Sequence, residues 1–323
     1  MTKKVVAGFA LCFVVLVVFC LYLYRDQLIA KKAEEPYEIS VICPDQSTEN
    51  WTTVKLGIDQ AAQDLNVNVS FITLTTRNNV KEQVTLLSRE VNNGADAVVI
   101  APINSTALKE PVEQASGKIP VVAMQSTVTG MPKLQSVSCD NYKMGNSLAR
   151  EIVRNEKGGR PVVILRNSVG SSNIADSLHG VEDALKGWNS SVLYCDIPDS
   201  APEAYSAARA AVTQHRNGIF IALDGATLEA AAKAKKDLMK SGAGSARIYG
   251  VGRTNTVVSL LEQKIISAIA VDNEFNIGYL SIKTAVDSIN KKTDGNTNVN
   301  FIIVNSTNMY ESESERMLFP FVR

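Results

Sequence analysis

Residues 38–74 read EISVICPDQSTENWTTVKLGIDQAAQDLNVNVSFITL. Glu38 to Ile42 is a short apolar strand, and Val67 to Leu74 is a second. Between them apolar residues fall at Trp51, Val54, Ile58, Ala61, Ala62 and Leu65, the i, i+3, i+4, i+7 spacing of one helix face. A strand, a helical crossover and another strand make one unit of a parallel sheet with right-handed connections.

The same alternation continues towards the C-terminus. A helix at Val80–Val91 ends at Asn92-Asn93-Gly94, and a continuous apolar strand follows at Ala97–Ile100. Next come a helix at Ala107–Ser116 and a strand at Pro120–Met124. The cycle restarts with a helix at Met144–Arg154 and a strand at Pro161–Leu165. Further helices are predicted at Asn173–Leu185, Glu203–His215 and the alanine-rich Thr227–Lys240. Further strands are predicted at Ser191–Tyr194, Gly218–Leu223, Arg247–Val251 and Ser267–Val271. Two successive sets predict an α/β protein of two doubly wound parallel-sheet lobes. After Val271 only a helix at Ile277–Ile289 and a strand at Val299–Val304 remain, too little for a third domain. The economical solution returns this segment to the first lobe and sends the tail back to the second. The lobes are then 37–140 plus 273–298 and 141–272 plus 299–323, joined by a multi-strand hinge.

Before this body, Val5 to Tyr24 are twenty uncharged, mostly apolar residues. At 1.5 Å rise they make about 30 Å of helix, enough to cross a hydrocarbon core. Lys3 and Lys4 precede the run, so the tail 1–4 is expected inside and the body outside, with Tyr22 and Tyr24 at the outer interface. The run is longer than a signal-peptide core and ends without a small-x-small cleavage site. Leu11 and Phe19, before Cys12 and Cys20, are too large for a lipoprotein site. Length and flanks therefore read as one retained transmembrane helix, 5–24, followed by a charged tether, 25–36.

Lysine plus arginine equal aspartate plus glutamate at 33 each, so no basic field invites nucleic acid. Only Cys43, Cys139 and Cys195 lie beyond the apolar run, an odd number at no metal-site spacing. Buried thiols are the plain reading, with one disulfide left open. His179 and His215, the only histidines, fall on predicted helices without a nucleophile motif. Gly250-Val251-Gly252 lacks the third glycine of a dinucleotide loop. No metal, cofactor or catalytic residue is expected.

In open α/β sheets ligands bind beyond the carboxyl ends of the strands. Those ends here are rich in Asp, Asn, Gln, Ser and Arg. A sugar needs carboxylates to accept from hydroxyls, amides to donate and accept, guanidinium to donate in a fork, and an aromatic plate for its C–H face.

The chain resembles the type I periplasmic sugar-binding proteins, the ribose- and galactose-binding kind, over about residues 37–310. The likeness is carried by Asn50-Trp51 before Lys55-x-Gly57, by Ala97-Val98-Val99-Ile100-Ala101-Pro102 and by Ile119-Pro120-Val121-Val122. It continues in Cys139-Asp140-Asn141 with Gly145, Ser172 to Gly180, Ile221-Ala222-Leu223-Asp224, Tyr249-Gly250-Val251-Gly252 and Val271-Asp272-Asn273. The resemblance implies two lobes that close about a hinge on one sugar. It implies Trp51 as the stacking plate beside Asn50, with packing on its own lobe's core as the structural alternative, and Asp224 and Asp272 on hydroxyls or stabilising the hinge. Helix capping by Asp224 is the structural alternative. Asp140, Asn141 and Asn273 fall at the hinge crossovers. Gln125, Arg166, Asn173, Ser177 and Arg253 complete the candidate ligand set. The chain departs from many ribose sites, which place an Asp-Arg pair at Gln125-Ser126, an Arg near Ser177 and an Asp near Gly252. Arg166 and Arg253 are then compensating donors, the contacts of an acidic sugar, or ordinary surface arginines.

These readings predict a membrane-anchored extracytoplasmic binding protein for a small polar ligand, a monosaccharide foremost. The closed state would be presented to an ABC permease or a sensor histidine kinase. A membrane-tethered enzyme on a doubly wound fold, or a ligand-free interaction module, are the alternatives.

Overall fold

The computed structural model of the protein describes residues 8, 13–20, 35–44, 48–167, 170–240, 245–292 and 295–319. Residues 1–36 and 37–323 are separate units. In the first, 13–20 is helical, and Phe13, Val14, Val15, Leu16, Val18 and Phe19 are each more than half exposed. Among the described residues no helix is long and apolar enough to cross a membrane. The expected tail 1–4 and most of the predicted span and tether lie outside the described residues.

The second unit holds two six-stranded sheets. In the first, β1 (Glu38–Cys43), β2 (Asn68–Thr73), β3 (Ala97–Ile100), β4 (Val121–Met124), β5 (Gln135–Cys139) and β11 (Thr297–Val299) stand in the order β11-β5-β4-β3-β1-β2. In the second, β6 (Val162–Asn167), β7 (Val192–Ile197), β8 (Ile219–Ala222), β9 (Arg247–Val251), β10 (Ala268–Asp272) and β12 (Phe301–Asn305) stand in the order β12-β10-β9-β8-β6-β7. The chain reverses its direction of winding at β1 in one sheet and at β6 in the other. That opens a crevice beyond each pair of central strand ends. Strands β3, β4 and β8 are buried along their whole length, as expected of parallel strands covered on both faces. Successive residues feed opposite faces: Val41 and Val99 pack into one core, Ile42 and Ile100 into another.

The helices are α1 (Thr48–Leu65), α2 (Val80–Asn92), α3 (Lys109–Ser116), α4 (Asn141–Asn155), α5 (Ser172–Leu185), α6 (Ala201–Gln214), α7 (Gly225–Lys240), α8 (Asn255–Glu262), α9 (Glu274–Ile289) and α10 (Ser312–Leu318). Two pairs pack backbone on backbone. A Cβ at Gly57 of α1 would overlap the Phe275 carbonyl of α9, and one at Gly278 of α9 would overlap the Val54 carbonyl of α1. In the other lobe a Cβ at Gly145 of α4 would overlap the Ser177 carbonyl of α5, and one at Gly180 would overlap the Tyr142 carbonyl. Each lobe thus seats the helix that follows a crossover on a reciprocal pair of glycines.

Most predicted elements are present within a few residues of their expected limits, and the differences have local causes. Helices α4, α7 and α9 begin earlier than their apolar periodicity indicates, because Asp140, Asp224 and Asn273 cap them. The side chains accept from the N–H groups of Lys143, of Ala226 and Thr227, and of Asn276 respectively. Strand β5 escapes the sequence reading because QSVSC holds little apolar surface, although its position between β4 and β11 buries it. Helix α8 also escapes the sequence reading, and Thr254 caps it through Val257 N–H at 3.0 Å. Helix α10 is likewise unpredicted. The predicted strand Val299–Val304 is two strands in different sheets. β11 pairs with β5 in parallel, and β12 pairs with β10 antiparallel, so the second sheet is mixed rather than wholly parallel. The two strands part at Asn300, whose carbonyl accepts from Asn273 N–H at 3.0 Å. None of Cys43, Cys139 and Cys195 forms a disulfide.

Replacing Gly145 with alanine should force α4 and α5 apart. The expected loss is about 1–3 kcal/mol of unfolding free energy, read by urea denaturation. A change within a few tenths would show that the helices separate freely.

Candidate ligand cleft

Chain segments from both sheets meet at the carboxyl ends of their central strands and enclose a cavity of about 200 Å³. That is below the ~300–1,000 Å³ of sites for drug-sized ligands, so the space suits a small molecule. Pro44 and Ala101-Pro102-Ile103 line it beyond β1 and β3, Asn167 at the end of β6, and Leu223 to Ala226 beyond β8. The Ala101–Ile103 loop is held from below by Gln83 of α2, a fully buried side chain. Its amide donates to Ala101 O at 2.8 Å and accepts from Ile103 N–H at 3.2 Å. This satisfies backbone groups that leave the sheet ladder inside the protein.

Gln125 follows β4 in the left-handed region, at φ 63°. A non-glycine residue there is strained, and such strain gathers at ligand sites. The turn sets Ser126 against the other lobe. Ser126 Oγ accepts from Ser172 N–H at 3.0 Å and Asn173 N–H at 3.5 Å, at the start of α5. The local N-cap residue, Ser171, makes no capping bond itself. One lobe therefore caps a helix of the other. Thr127 N–H donates to Ser172 Oγ at 2.7 Å, and Ser105 N–H to Gly170 O at 2.9 Å. Asn78 Nδ2 donates to Asp199 Oδ1 at 3.1 Å, and Arg77 stands 3.8 Å from Asp224. The lobes are closed on one another through these polar contacts.

The rear of the cleft is a buried charge cluster. Gly252, at φ 130°, lets the loop after β9 approach Gly225 so closely that a Cβ would clash. Arg253 then turns inward with only 6% of its surface exposed. Its guanidinium donates to Leu318 O at 2.9 Å, to Glu274 Oε2 at 3.1 and 3.3 Å, and to Thr53 Oγ1. Burial pushes the carboxyls of Asp272 and Glu274 above the ordinary range, and the adjacent Arg253 partly offsets this. Burial also raises the Cys139 thiol, so it is neutral.

Residues 39–293 match the profile of the Periplasmic binding protein domain. The chain belongs to that family. This periplasmic binding protein is similar to the ABC transporter periplasmic-binding protein YphF of Escherichia coli (strain K12). The two are 23% identical over 287 residues, covering 84% of this chain and 86% of that one. In structure it is similar to a carbohydrate transporter solute binding protein from Agrobacterium radiobacter, solved in complex with D-arabinose. The TM-score is 0.81 at 21% identity, covering 88% of this chain and 100% of that one. It is also similar to a chain of a XylFII–LytSN complex, with a TM-score of 0.74 at 20% identity over 84% and 98% of the respective chains. The resemblance found in the sequence holds at the level of family and fold, and the family is one of binding proteins rather than enzymes.

The structure brings Trp51, Gln125, Asn173, Asp224, Arg253 and Asp272 of this binding protein to the cleft. Asp224 lines it while also capping α7 and accepting from Asn167 at 2.8 Å. Trp51 lines it with 7% of its surface exposed, the only aromatic among the described lining residues. Asn141, placed at the hinge, lines it too, and its carbonyl accepts from Ser177 Oγ at 3.2 Å. Asp140 and Asn273 stand at the crossovers as helix caps. Two expected ligands are elsewhere. Arg166 points off the edge of the second sheet, paired with Asp196 at 2.7 Å and stacked over Tyr194. Ser177 is buried at the α4–α5 contact. Its position reflects helix packing rather than the cleft. The side chain of Asn50 lies outside the described residues. Arg253 is at the cleft, but its donors are occupied by protein groups, so it is not an open contact for an acidic sugar.

Sequence reasoning did not single out Arg77, Asn167 or Glu274. Asn167 directly follows a nominated strand end and was legible on that ground. Arg77 sits in the loop after edge strand β2, where no strand-end rule points inward. Glu274 reads as an ordinary first-turn acid of a helix.

Two outcomes test this geometry. Ser126→Ala should remove the cross-lobe cap, at a cost of about 0.5–2 kcal/mol. The lobes should then spread without ligand, seen as a larger radius of gyration in X-ray scattering; an unchanged radius would mean Ser126 does not hold them. The second outcome concerns pH. Asp272 and Glu274 hold protons more tightly folded than unfolded, so their contribution favours folding at low pH. It is lost progressively as pH rises from the ordinary carboxylate range near ~4 towards neutrality. Asp272→Asn should therefore raise the melting temperature more at pH 8 than at pH 5. An equal change at both would show that Asp272 titrates normally.

Proposed function

We propose that this protein is an extracytoplasmic substrate-binding protein that closes on one small hydroxylated ligand, a monosaccharide. The observation that carries the reading is the small closed cavity at the strand ends of both sheets, where Trp51 supplies an apolar plate and Gln125, Asn173, Asp224 and Asp272 supply acceptors and donors. The D-arabinose in the Agrobacterium radiobacter protein supports a sugar as the ligand class. On this reading the lobes are 37–140 with 273–298 and 141–272 with 299–323. They rotate about Asp140, Asn141, Asn273 and the chain at Asn300. Closure creates the surface that a partner reads.

The apolar run 5–24 is proposed as a membrane anchor with the body outside. Its described part is a helix apolar on all sides, which suits lipid better than water. The partner is then a membrane protein. The kinship with an ABC transporter periplasmic-binding protein supports a permease. A tethered body and the XylFII–LytSN complex support a sensor partner, of which a histidine kinase is the proposed kind.

The reading is tested by thermal shift of the full chain against pentoses, hexoses, deoxysugars and polyols. A ligand that binds only the folded state raises the melting temperature. A hit should weaken by about tenfold or more in Trp51→Ala, since stacking and its buried area are lost together. No shift across the panel would overturn the sugar assignment, and an unchanged affinity in Trp51→Ala would remove the stacking role.

A further inference from the structure

The chain crosses between the sheets at one edge of each. Segment 139–141 follows β5, segment 272–274 follows β10, and Asn300 separates β11 from β12. β11 and β5 are the outermost pair of the first sheet, and β12 and β10 of the second, while β2 and β7 form the opposite edges. When two bodies turn about a hinge, displacement grows with distance from it, so contacts made from the β2 and β7 edges part the furthest. The loop between β2 and α2 makes two such contacts with successive residues. Arg77 Nη2 stands 3.8 Å from Asp224 Oδ1 beyond β8, and Asn78 Nδ2 donates to Asp199 Oδ1 at 3.1 Å beyond β7. The loop is fixed before it crosses. Glu82 of α2 accepts from Thr75 N–H, Thr75 Oγ1 and Thr76 N–H at 2.7, 2.6 and 3.1 Å, and Asn79 caps the same helix through Glu82 N–H at 3.1 Å. Asp224 is fixed as well, because Oδ1 accepts from Ala226 and Thr227 N–H and Oδ2 from Asn167. Two held groups of opposite charge thus meet on the cavity wall, far from the crossings. The other ion pair at the cavity, Arg253 with Glu274, lies beside the 272–274 crossing, where displacement is least.

We propose that Arg77 is a positioning residue that latches the cleft, its ion pair with Asp224 setting the ratio of closed to open protein. A hydrogen bond such as that to Ser126 acts only at contact, whereas opposite charges attract over a longer range and draw the two edges together. The side chains of Arg77 and Asp224 are 34% and 17% exposed, so dissolved salt reaches the pair and weakens it. A molecule in the cavity leaves only from open protein, so the same ratio sets how long it stays. The inference concerns closure and holds whichever small molecule the cavity takes.

The test is site-resolved amide hydrogen exchange on the full chain. Three N–H groups are bonded across the cleft: Ser105 to Gly170 O, Thr127 to Ser172 Oγ, and Ser172 to Ser126 Oγ. Two reference groups are bonded within a lobe: Ala101 to Ile42 O and Val162 to Ser191 O. The ratio of cross-cleft to reference exchange rates reports opening, and a loss of folding that speeds both sets cancels from it. Arg77→Gln should raise this ratio by about two- to fivefold at low salt. Arg77→Lys keeps the charge and should restore most of the protection. Sodium chloride at about 0.5 M should raise the ratio in the wild type and narrow its difference from Arg77→Gln. In an Asp224→Asn background, where asparagine still caps α7, adding Arg77→Gln should change little further. A ratio unmoved by Arg77→Gln, or moved as much in the Asp224→Asn background, would overturn the latch. So would an effect that lysine does not relieve and salt does not alter, because Arg77 would then act by shape rather than charge. The thermal-shift panel decides the sugar reading independently of these results.

Discussion

The helix that follows each of two crossovers must lie against its neighbour at backbone distance, and much of the architecture depends on this. Helix α4 starts two residues after β5 ends and carries Gly145 against Ser177. Helix α9 starts two residues after β10 ends and carries Gly278 against Val54. The main chain thus passes between sheets and is pinned at once by a contact that admits no side chain. Close-packed interiors do not absorb an extra methyl group without displacement. The chain therefore crosses between the sheets in short segments: 139–141, 272–274 and the residue between β11 and β12. The bond from Asn273 N–H to Asn300 O ties two of these together.

That arrangement explains why the same residues serve structure and site. Parallel strands end at one edge of each sheet, and the helices that follow need caps for their first N–H groups. Asp140, Asp224, Thr254 and Asn273 provide them. Strand ends are also where a doubly wound sheet opens to ligands. Asp224 accordingly caps α7, accepts from Asn167 and borders the cavity. Helix capping and a place on the cavity wall are compatible for it. Ser126 extends this logic across the cleft, because the helix it caps belongs to the opposite lobe.

The closed arrangement is held by polar bonds between the lobes, which run from Ser126, Thr127, Ser105 and Asn78. Arg253 connects that closure to the rest of the chain, since it bonds the end of α10 as well as α1 and α9.

Local pattern in the sequence carried the alternation of strands and helices, the two doubly wound lobes and the return of the last elements. Buried parallel strands such as Ala97–Ile100 are continuous apolar runs, and helices such as α1 show one apolar face. Gln125, Asn173, Asp224 and Asp272 were legible as cleft residues because they fall at or just beyond strand ends, which converge by topology, whereas Trp51, inside the first helix, was legible only through the family resemblance. Tertiary structure decided what depends on direction and partner. It turned Arg166 outward to Asp196, placed Ser177 under α4, and spent Arg253 on Glu274, Thr53 and Leu318. It also divided 299–304 between two sheets, although the stretch reads as one apolar strand. A one-dimensional pattern records burial and period. Which way a long side chain turns, and which neighbour neutralises its charge, is settled only when residues far apart in the chain are brought within hydrogen-bonding distance.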